Sequence, residues 1–314
     1  MSTLTARPAL TLPTPTRWNR PLLGLAAATA VLSVVVAVLA VVDPHPVLGQ
    51  DAWFKPLKFS LSIGIYALTM AWLVGLPGLR RPRLAAAAAL VTVVGLAIEI
   101  AVILWAAATG TTSHFNVSTP LHATLWALMG TSIAVVWVTT LVIGLLVVRA
   151  PLPDRARTLA VRAGVLLGLV GMALAFLMTS PTAAQLADPR GVVGAHAVGV
   201  PDGGPGLPFL GWSTTGGDLR IGHFVGLHAL QVIPLGLLAL ELLGRRVEAL
   251  REEAVRFRLV AVGSLGYAGL VALLTVQALL GQPLLRPSAI VLAVAVGGVV
   301  VLSAVAAGAL RRGR

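Results

Sequence analysis

The sequence contains no cysteine, and this absence excludes several kinds of site at once. Without thiols the chain cannot form disulfides, thiolate zinc sites, iron–sulfur clusters or a covalently attached c-type haem. Charged residues are also scarce, at 11% of 314 residues. So little charge is not the composition of a water-soluble enzyme, a coiled coil or a disordered chain. Any bound metal ion would have to use histidine and carboxylate ligands.

The chain is instead rich in long apolar runs. Hydrophobic residues make up 57% of it, and the mean hydropathy is +0.93. Runs of about 20 apolar residues cross the hydrocarbon core of a bilayer as helices. Eight such runs cover residues 22–42, 56–76, 84–107, 121–148, 159–179, 219–243, 258–280 and 288–310. We therefore predict an all-α fold, a polytopic transmembrane helix bundle of about eight spans (21–314) after a disordered cytoplasmic tail (1–20).

Basic residues are divided unequally between the two sides of this bundle. With eight spans, one side carries 18 of the 23 lysine and arginine residues and the other carries 5. Cytoplasmic flanks hold the excess of positive charge, so both termini are predicted to be cytoplasmic. The net charge of +12 comes in small groups between apolar spans, which indicates a lipid bilayer as the partner and no nucleic acid. The composition is typical of a bacterial inner-membrane protein.

The connection from Ser180 to Asp218 is unusually long, at 39 residues, and lies on the predicted outer side. It contains nine glycines and five prolines together with Phe209, Leu210 and Trp212. Long loops in compact proteins are often lids over a site, and disordered segments rarely hold so many apolar residues. We expect this loop to pack over the outer mouth of the bundle; the alternative is a loose surface loop.

Glu99 is the least expected residue, because an ionisable side chain inside a span costs about 2.5–3.5 kcal/mol or more and usually marks a site. It lies about eight residues, or roughly 12 Å, from the outer end of its span. His228 lies at a similar depth in the sixth span, roughly 13 Å, so the two side chains are expected to meet. Gln231 follows His228 on the same helical face.

Other polar residues are predicted to join this site from neighbouring spans. All six histidines fall on the outer half of the predicted topology, among them His122 on the fourth span and His223 on the sixth. Lys58, one turn inside the second span, offers a positive charge to an anionic group. Lys55, nearer the membrane surface, is interpreted as an interfacial cation.

The sixth span also carries features that shape a helix. Pro234 deprives the carbonyl of Leu230 of its helical donor, so we expect a kink there. Gly222 and Gly226, four residues apart, predict the close approach of another helix.

Two stretches, DAWFKPLKFS (51–60) and GGDLRIGHFVGLHALQ (216–231), resemble segments of an uncharacterised group of bacterial multi-pass integral membrane proteins. The resemblance covers about a tenth of the chain and implies no activity. It does imply that certain residues belong to the motifs of the group. These are Trp53, Lys55, Pro56, Lys58, Asp218, Arg220, His223, His228 and Gln231.

Three functions are open from the sequence. The first is a metal or haem site (Zn, Fe, Cu(II) or b-type haem) facing the outer side, with His122, His223 and His228 as ligands and Glu99 as a ligand or base. In this hypothesis Lys58 and Gln231 contact the bound small molecule or support the ligands. The second is a proton-coupled or facilitative permease with Glu99 carrying the proton. The third is a non-catalytic membrane component of an envelope complex.

Overall fold

The computed structural model describes residues 18–152 and 154–311, so most of the predicted tail 1–20 lies outside the described residues. The helices are α1 (Arg20–Val42), α2 (Phe54–Val74), α3 (Pro82–Ala108), α4 (Pro120–Val148), α5 (Arg155–Ala173), α6 (Ala183–Ala187), α7 (Leu219–Leu227), α8 (Ala229–Leu243), α9 (Glu253–Leu279) and α10 (Ala289–Arg311). In the described part of the chain, seven helices are long and apolar enough to cross a membrane, or eight if α7 and α8 form one broken span. The prediction of an all-α bundle is confirmed, and the chain is a multi-pass membrane protein.

Short polar residues start the helices where the apolar runs begin. The side chains of Asn19, Thr119, Asp154 and Asp218 each accept a hydrogen bond from a backbone N–H in the first turn of α1, α4, α5 and α7. Such caps satisfy donors that have no partner within the helix. Proline in the first turn of α1, α3 and α4 removes one of these donors outright.

The helices form two groups with few contacts between them. Helices α1 to α4 pack in sequence order, while α5, α7, α8 and α9 pack on one another and α10 packs on α9. Contact between α4 and α5 joins the groups. Hydroxyl pairs tie the first group together, as expected in an apolar environment. They are Ser33–Ser60 at 2.8 Å, Tyr66–Thr140 at 2.5 Å and Thr92–Thr139 at 2.7 Å.

Because successive spans run in opposite directions, every second connection lies at the same end of the bundle. Residues 43–53, 109–119 and 179–218 meet there. We call this the outer end, since the distribution of arginine predicts that it faces away from the cytoplasm. It carries two small antiparallel pairs, β1 (Pro46–Val47) with β2 (Gln50–Asp51) and β3 (Ala197–Val198) with β4 (Gly217–Asp218).

The sixth predicted span is broken at His228. Helices α7 and α8 meet at His228 with a bend of 46°, whereas Pro234 lies inside α8. The hydroxyl of Tyr267 on α9 donates to the carbonyl of Val225 at 2.6 Å. In a continuous helix that carbonyl would accept from the N–H of Ala229. Insertion of a side chain into the helical ladder therefore marks the break.

Candidate functional site

A cavity of about 1840 Å³ lies at the outer end, between the two groups of helices. Residues of α2, α3, α4 and α7 line it, together with the segment after α5 and the long loop. Its walls are mostly apolar, with a few charged and imidazole side chains among them. Large apolar pockets with a few converging polar groups are the usual form of small-molecule sites.

The loop from Ser180 to Asp218, which we call the outer loop, packs over this cavity. The side-chain oxygen of Gln185 accepts from the backbone N–H of Gly194 at 3.0 Å, and β3 pairs with β4. Phe209 packs edge-on against Phe54 of α2, with ring centroids 5.4 Å apart. The packing of Phe209 on Phe54 thus attaches the loop to the bundle, while the other two contacts hold the loop itself together.

Lys58 holds the outer loop, and this differs from its predicted role. Its ammonium donates to the backbone carbonyls of Phe209 and Leu210, each at 3.0 Å, and lies 5.8 Å from the centre of the Phe209 ring. Two of its three N–H donors are therefore used by the protein itself. The prediction that Lys58 is available to an anionic group requires correction, because its charge fastens the lid to α2.

Lys58→Met is expected to loosen the outer loop without disturbing the bundle. Two charge-assisted hydrogen bonds are lost, so proteolytic cleavage within residues 199–216 should speed up by about tenfold. Limited proteolysis followed by mass spectrometry measures this rate. Lys55→Met is the matched control and should leave the rate unchanged, since no loop carbonyl binds Lys55. Equal rates in wild type and Lys58→Met would contradict the assignment.

Glu99 on α3 faces the cavity with one carboxylate oxygen unpaired. The side chain is 4% exposed, and Oε1 lies 3.7 Å from Nε2 of His114. Its other oxygen, Oε2, is buried and has no hydrogen-bond partner in the described chain. A buried polar atom without a partner costs about 1–3 kcal/mol, so this carboxyl group is not explained by stability.

Lys55 also lines the cavity, on the same face of α2 as Phe59. No side chain or carbonyl of the described residues binds its ammonium group, although its charge acts on Glu99. The interpretation of Lys55 as an interfacial cation is therefore incomplete, because its amine lies in the largely apolar cavity. Lys55, and not Lys58, is the cation that a ligand can use.

His114 closes the cavity above Glu99, because residues 109–119 fold back over α3. Phe115, in the left-handed region with φ 63°, turns the chain there. The ring of His114 packs against Phe59 and Trp126, each at 5.6 Å, and Ser113 Oγ lies 3.1 Å from Nδ1. Burial, followed by the nearby positive charges, holds the pKa of His114 well below its usual value. His114 is therefore a neutral imidazole at pH 7.

His223 and His228 approach the cavity from the broken span. Nδ1 of His223 donates to the carbonyl of Gly171 on α5 at 2.8 Å, which leaves Nε2 as an acceptor. Nδ1 of His228 lies 3.3 Å from Oε1 of Gln231, and the amide of Gln231 donates to Thr69 on α2 at 3.0 Å. The structure therefore brings His228 and Gln231 together. It also places His223 and His228 on the same cavity as Glu99, but Glu99 contacts His114 and not His228.

Of the predicted site residues, His122 and Gln231 do not line the cavity, and His122 lies apart from the others. Its Nδ1 lies 2.8 Å from the hydroxyl of Thr119, the helix cap, and its ring lies 5.9 Å from that of Trp105. In residues 18–152 and 154–311, no group of three or more histidine and acidic side chains could hold a metal ion. The predicted set of His122, His223 and His228 with Glu99 is thus not assembled as a metal site.

His223 and His228 do not form the predicted two-histidine haem site either. His223 and His228 come from one short stretch, five residues apart, so they cannot approach one iron from opposite faces of a porphyrin. His114 is packed among aromatic rings with Nε2 directed at Glu99. The residues present therefore fit neither the metal nor the haem hypothesis.

His196 and Asp202 fasten the outer loop to itself above the cavity. The carboxylate of Asp202 accepts from the backbone N–H groups of His196 and Ala197 and from Nδ1 of His196 at 2.8 Å. Burial alone would raise the pKa of Asp202, but these donors outweigh it and lower the pKa to about 2. Burial lowers the pKa of His196, so the pair is an ionised carboxylate and a neutral imidazole.

The stability of the outer loop is expected to fall in acid. Because the pKa of Asp202 is lowered from 3.8 to about 2 on folding, its stabilising effect is complete above about pH 4 and is lost as the pH falls towards 2. Thermal unfolding followed by the fluorescence of Trp212 across this range measures the loss. Asp202→Asn should show lower stability at neutral pH and a shallower fall in acid. Parallel curves for the two proteins would refute the assignment.

Sequence reasoning missed Lys55 and His114. A signal existed for Lys55, because it precedes Lys58 by three residues and so shares its helical face. For His114 there was no signal, because no periodic pattern in the sequence indicates that residues 109–119 fold back over α3. The position of His114 beside Glu99 depends on that fold.

Comparison of the chain with family models, curated proteins and solved structures finds no match. The role of the cavity therefore rests on the chemistry of its own residues.

Proposed function

We propose that this cell-membrane protein binds an anionic small molecule in its outer cavity, from the extracytoplasmic side, and exchanges a proton with it at Glu99. One observation carries the proposal. Lys55 and Glu99 face the same cavity, and each has a polar atom that no described residue satisfies.

Lys55 supplies the attraction for a negative group. An ammonium group in a largely apolar hollow is costly unless an anion or several acceptors accompany it. The nearby charges do not meet this need, since Glu99 lies outside ion-pair distance and Arg220 is already bound to Asp218 at 2.6 Å. A phosphate or carboxylate group on a ligand would pair with Lys55 directly.

Glu99 supplies a proton donor or acceptor next to that anion. Its unpaired Oε2 can accept a hydrogen bond from an O–H or N–H of the ligand, and a carboxyl group so placed can pass the proton in either direction. Nε2 of His114, a neutral imidazole, lies 3.7 Å from the other oxygen of Glu99, which is beyond hydrogen-bond distance. Its ring is fixed by Phe59 and Trp126.

Binding can be tested by native mass spectrometry of the protein extracted in a mild detergent. We expect wild type to retain a bound anionic molecule and Lys55→Met to retain at least about tenfold less, the equivalent of one charge-assisted contact. Arg286→Met is the matched control, because it removes an exposed cation near the outer end that does not line the cavity. Equal retention in all three proteins would overturn the proposal and favour a non-catalytic membrane component.

Proton exchange can be tested by infrared difference spectroscopy across a pH titration. A titrating carboxyl band should be present in wild type and absent from Glu99→Gln. If the two difference spectra coincide, Glu99 is not the group that exchanges the proton.

A permease is the second candidate, favoured by the break at His228 beside the cavity. Broken helices at the interface of two helical groups recur at transporter sites. The inner half of the described bundle holds few ionisable groups, and Glu241 there is paired with Arg157 at 2.8 Å. Dissipation of a pH gradient by liposomes containing wild type but not Glu99→Gln would favour this candidate.

A further inference from the structure

Part of the cavity wall is apolar and exposed at the depth of the membrane hydrocarbon, and we take this part as a sideways opening. Four large apolar side chains of the wall are exposed. They are Leu61 at 47%, Ile65 at 47%, Phe176 at 45% and Leu177 at 46%. Leu61 lies seven residues inside α2, about 10 Å below its first residue, which is within the apolar layer.

The opening exists because α2 and the broken span scarcely touch. Helix α2 packs on α1 and α3, whereas α7 packs on α5 and α9. In the described chain, the bond from Gln231 to Thr69 is the one side-chain hydrogen bond between α2 and α8. Neither residue lines the cavity, so this bond lies at the edge of the opening and does not close it.

The outer loop restricts access to the cavity from water. The outer loop covers the cavity and is fastened to α2 by the Lys58 hydrogen bonds and by the packing of Phe209 on Phe54. The cavity volume of about 1840 Å³ also exceeds the range of about 300–1,000 Å³ that is usual for small-molecule sites. A ligand with a polar group and a long apolar part fits both facts.

We infer that the ligand is a phospholipid that reaches the cavity from the side, places its phosphate at Lys55 and presents a head-group N–H or O–H donor to Glu99. This inference rests on the proposed function and names the class of its ligand. The unpaired Oε2 of Glu99 restricts the head group, because it needs a hydrogen-bond donor. Ethanolamine and glycerol head groups carry such donors, whereas choline carries none.

The test uses wild-type protein in lipid nanodiscs with photoreactive phospholipids that carry a diazirine on the acyl chain. Phe59 and Trp126 line the cavity and pack on the ring of His114, so adducts on these two residues report lipid inside the cavity. After irradiation, peptide mass spectrometry should find adducts on this inner wall. We expect about tenfold fewer inner-wall adducts with the phosphatidylcholine probe than with the phosphatidylethanolamine probe.

Two variants separate the site from general lipid contact. Lys55→Met should reduce inner-wall adducts by about tenfold, while Arg286→Met and adducts on the outer surface should not change. Adducts confined to the outer surface of wild type would overturn the inference. If wild type then still retains a water-soluble anion in native mass spectrometry, the proposed function stands and its ligand is not a lipid. If wild type retains no anion, both the proposed function and this inference fail.

Discussion

Gly171→Ala is expected to lower the free energy of unfolding by at least about 3 kcal/mol. A Cβ atom at Gly171 would lie 2.1 Å from the backbone of Gly226 and Leu227. Both contacts are to main-chain atoms of α7, so no side-chain rotation can relieve them, and α5 and α7 must move apart. The movement would also stretch the hydrogen bond from His223 to the Gly171 carbonyl, now 2.8 Å.

Unfolding of the purified protein in a denaturing detergent, followed by tryptophan fluorescence, measures this loss. Gly236→Ala is the matched control, since a Cβ on that residue of α8 meets no heavy atom within 4 Å. It should be neutral or should stabilise by up to about 1 kcal/mol, because alanine is the better helix former. Similar stability of Gly171→Ala and wild type would show that the contact between α5 and α7 is not as close as described.

Glu99→Leu is expected to preserve the fold and abolish ligand retention. Leucine removes a carboxyl group that has one unpaired buried oxygen, so the free energy of unfolding should rise by about 1–3 kcal/mol. The same change removes the acceptor for the ligand donor and the group that exchanges the proton. Bound ligand in native mass spectrometry should fall by at least about tenfold.

Glu241→Leu is the matched control for this variant. Glu241 lies on α8 and binds the guanidinium of Arg157 through both oxygens, at 2.8 Å and 3.4 Å. Its removal leaves the part-buried guanidinium of Arg157 with only the longer contact to Asp154, at 3.5 Å, so this variant should be less stable than wild type and should keep its ligand. A Glu99→Leu protein that is destabilised, or that retains as much ligand as wild type, would count against the site.

The spans followed from sequence because their cause is local. A run such as 22–42 must form a helix in hydrocarbon, where each backbone N–H and C=O needs a partner within the segment. The structure places α1 at Arg20–Val42, starting at the Asn19 cap. The break at His228 was not predictable, because it depends on a hydroxyl from α9 that binds Val225 from 42 residues further on.

The site was only partly predictable, because part of its geometry depends on contacts between residues far apart in the chain. The burial of Glu99 could be inferred, since a carboxyl group in a membrane span costs free energy when it faces lipid and therefore usually faces the protein interior. Which side chain lies beside it could not be inferred, because His114 arrives on a loop whose path is fixed by packing. Depth along the helices predicted that Glu99 and His228 share a level, but depth does not specify the direction in which each side chain points.

The sequence alone determined that this chain is a bundle of membrane helices with a costly carboxyl group in its third span, because hydropathy and helix length are properties of consecutive residues. Only the tertiary structure decided that no described residue binds the Lys55 ammonium, that Lys58 fastens the outer loop and that His122 lies outside the cavity. Those outcomes depend on which helix faces rotate towards one another, and rotation is set by contacts between residues far apart in the chain.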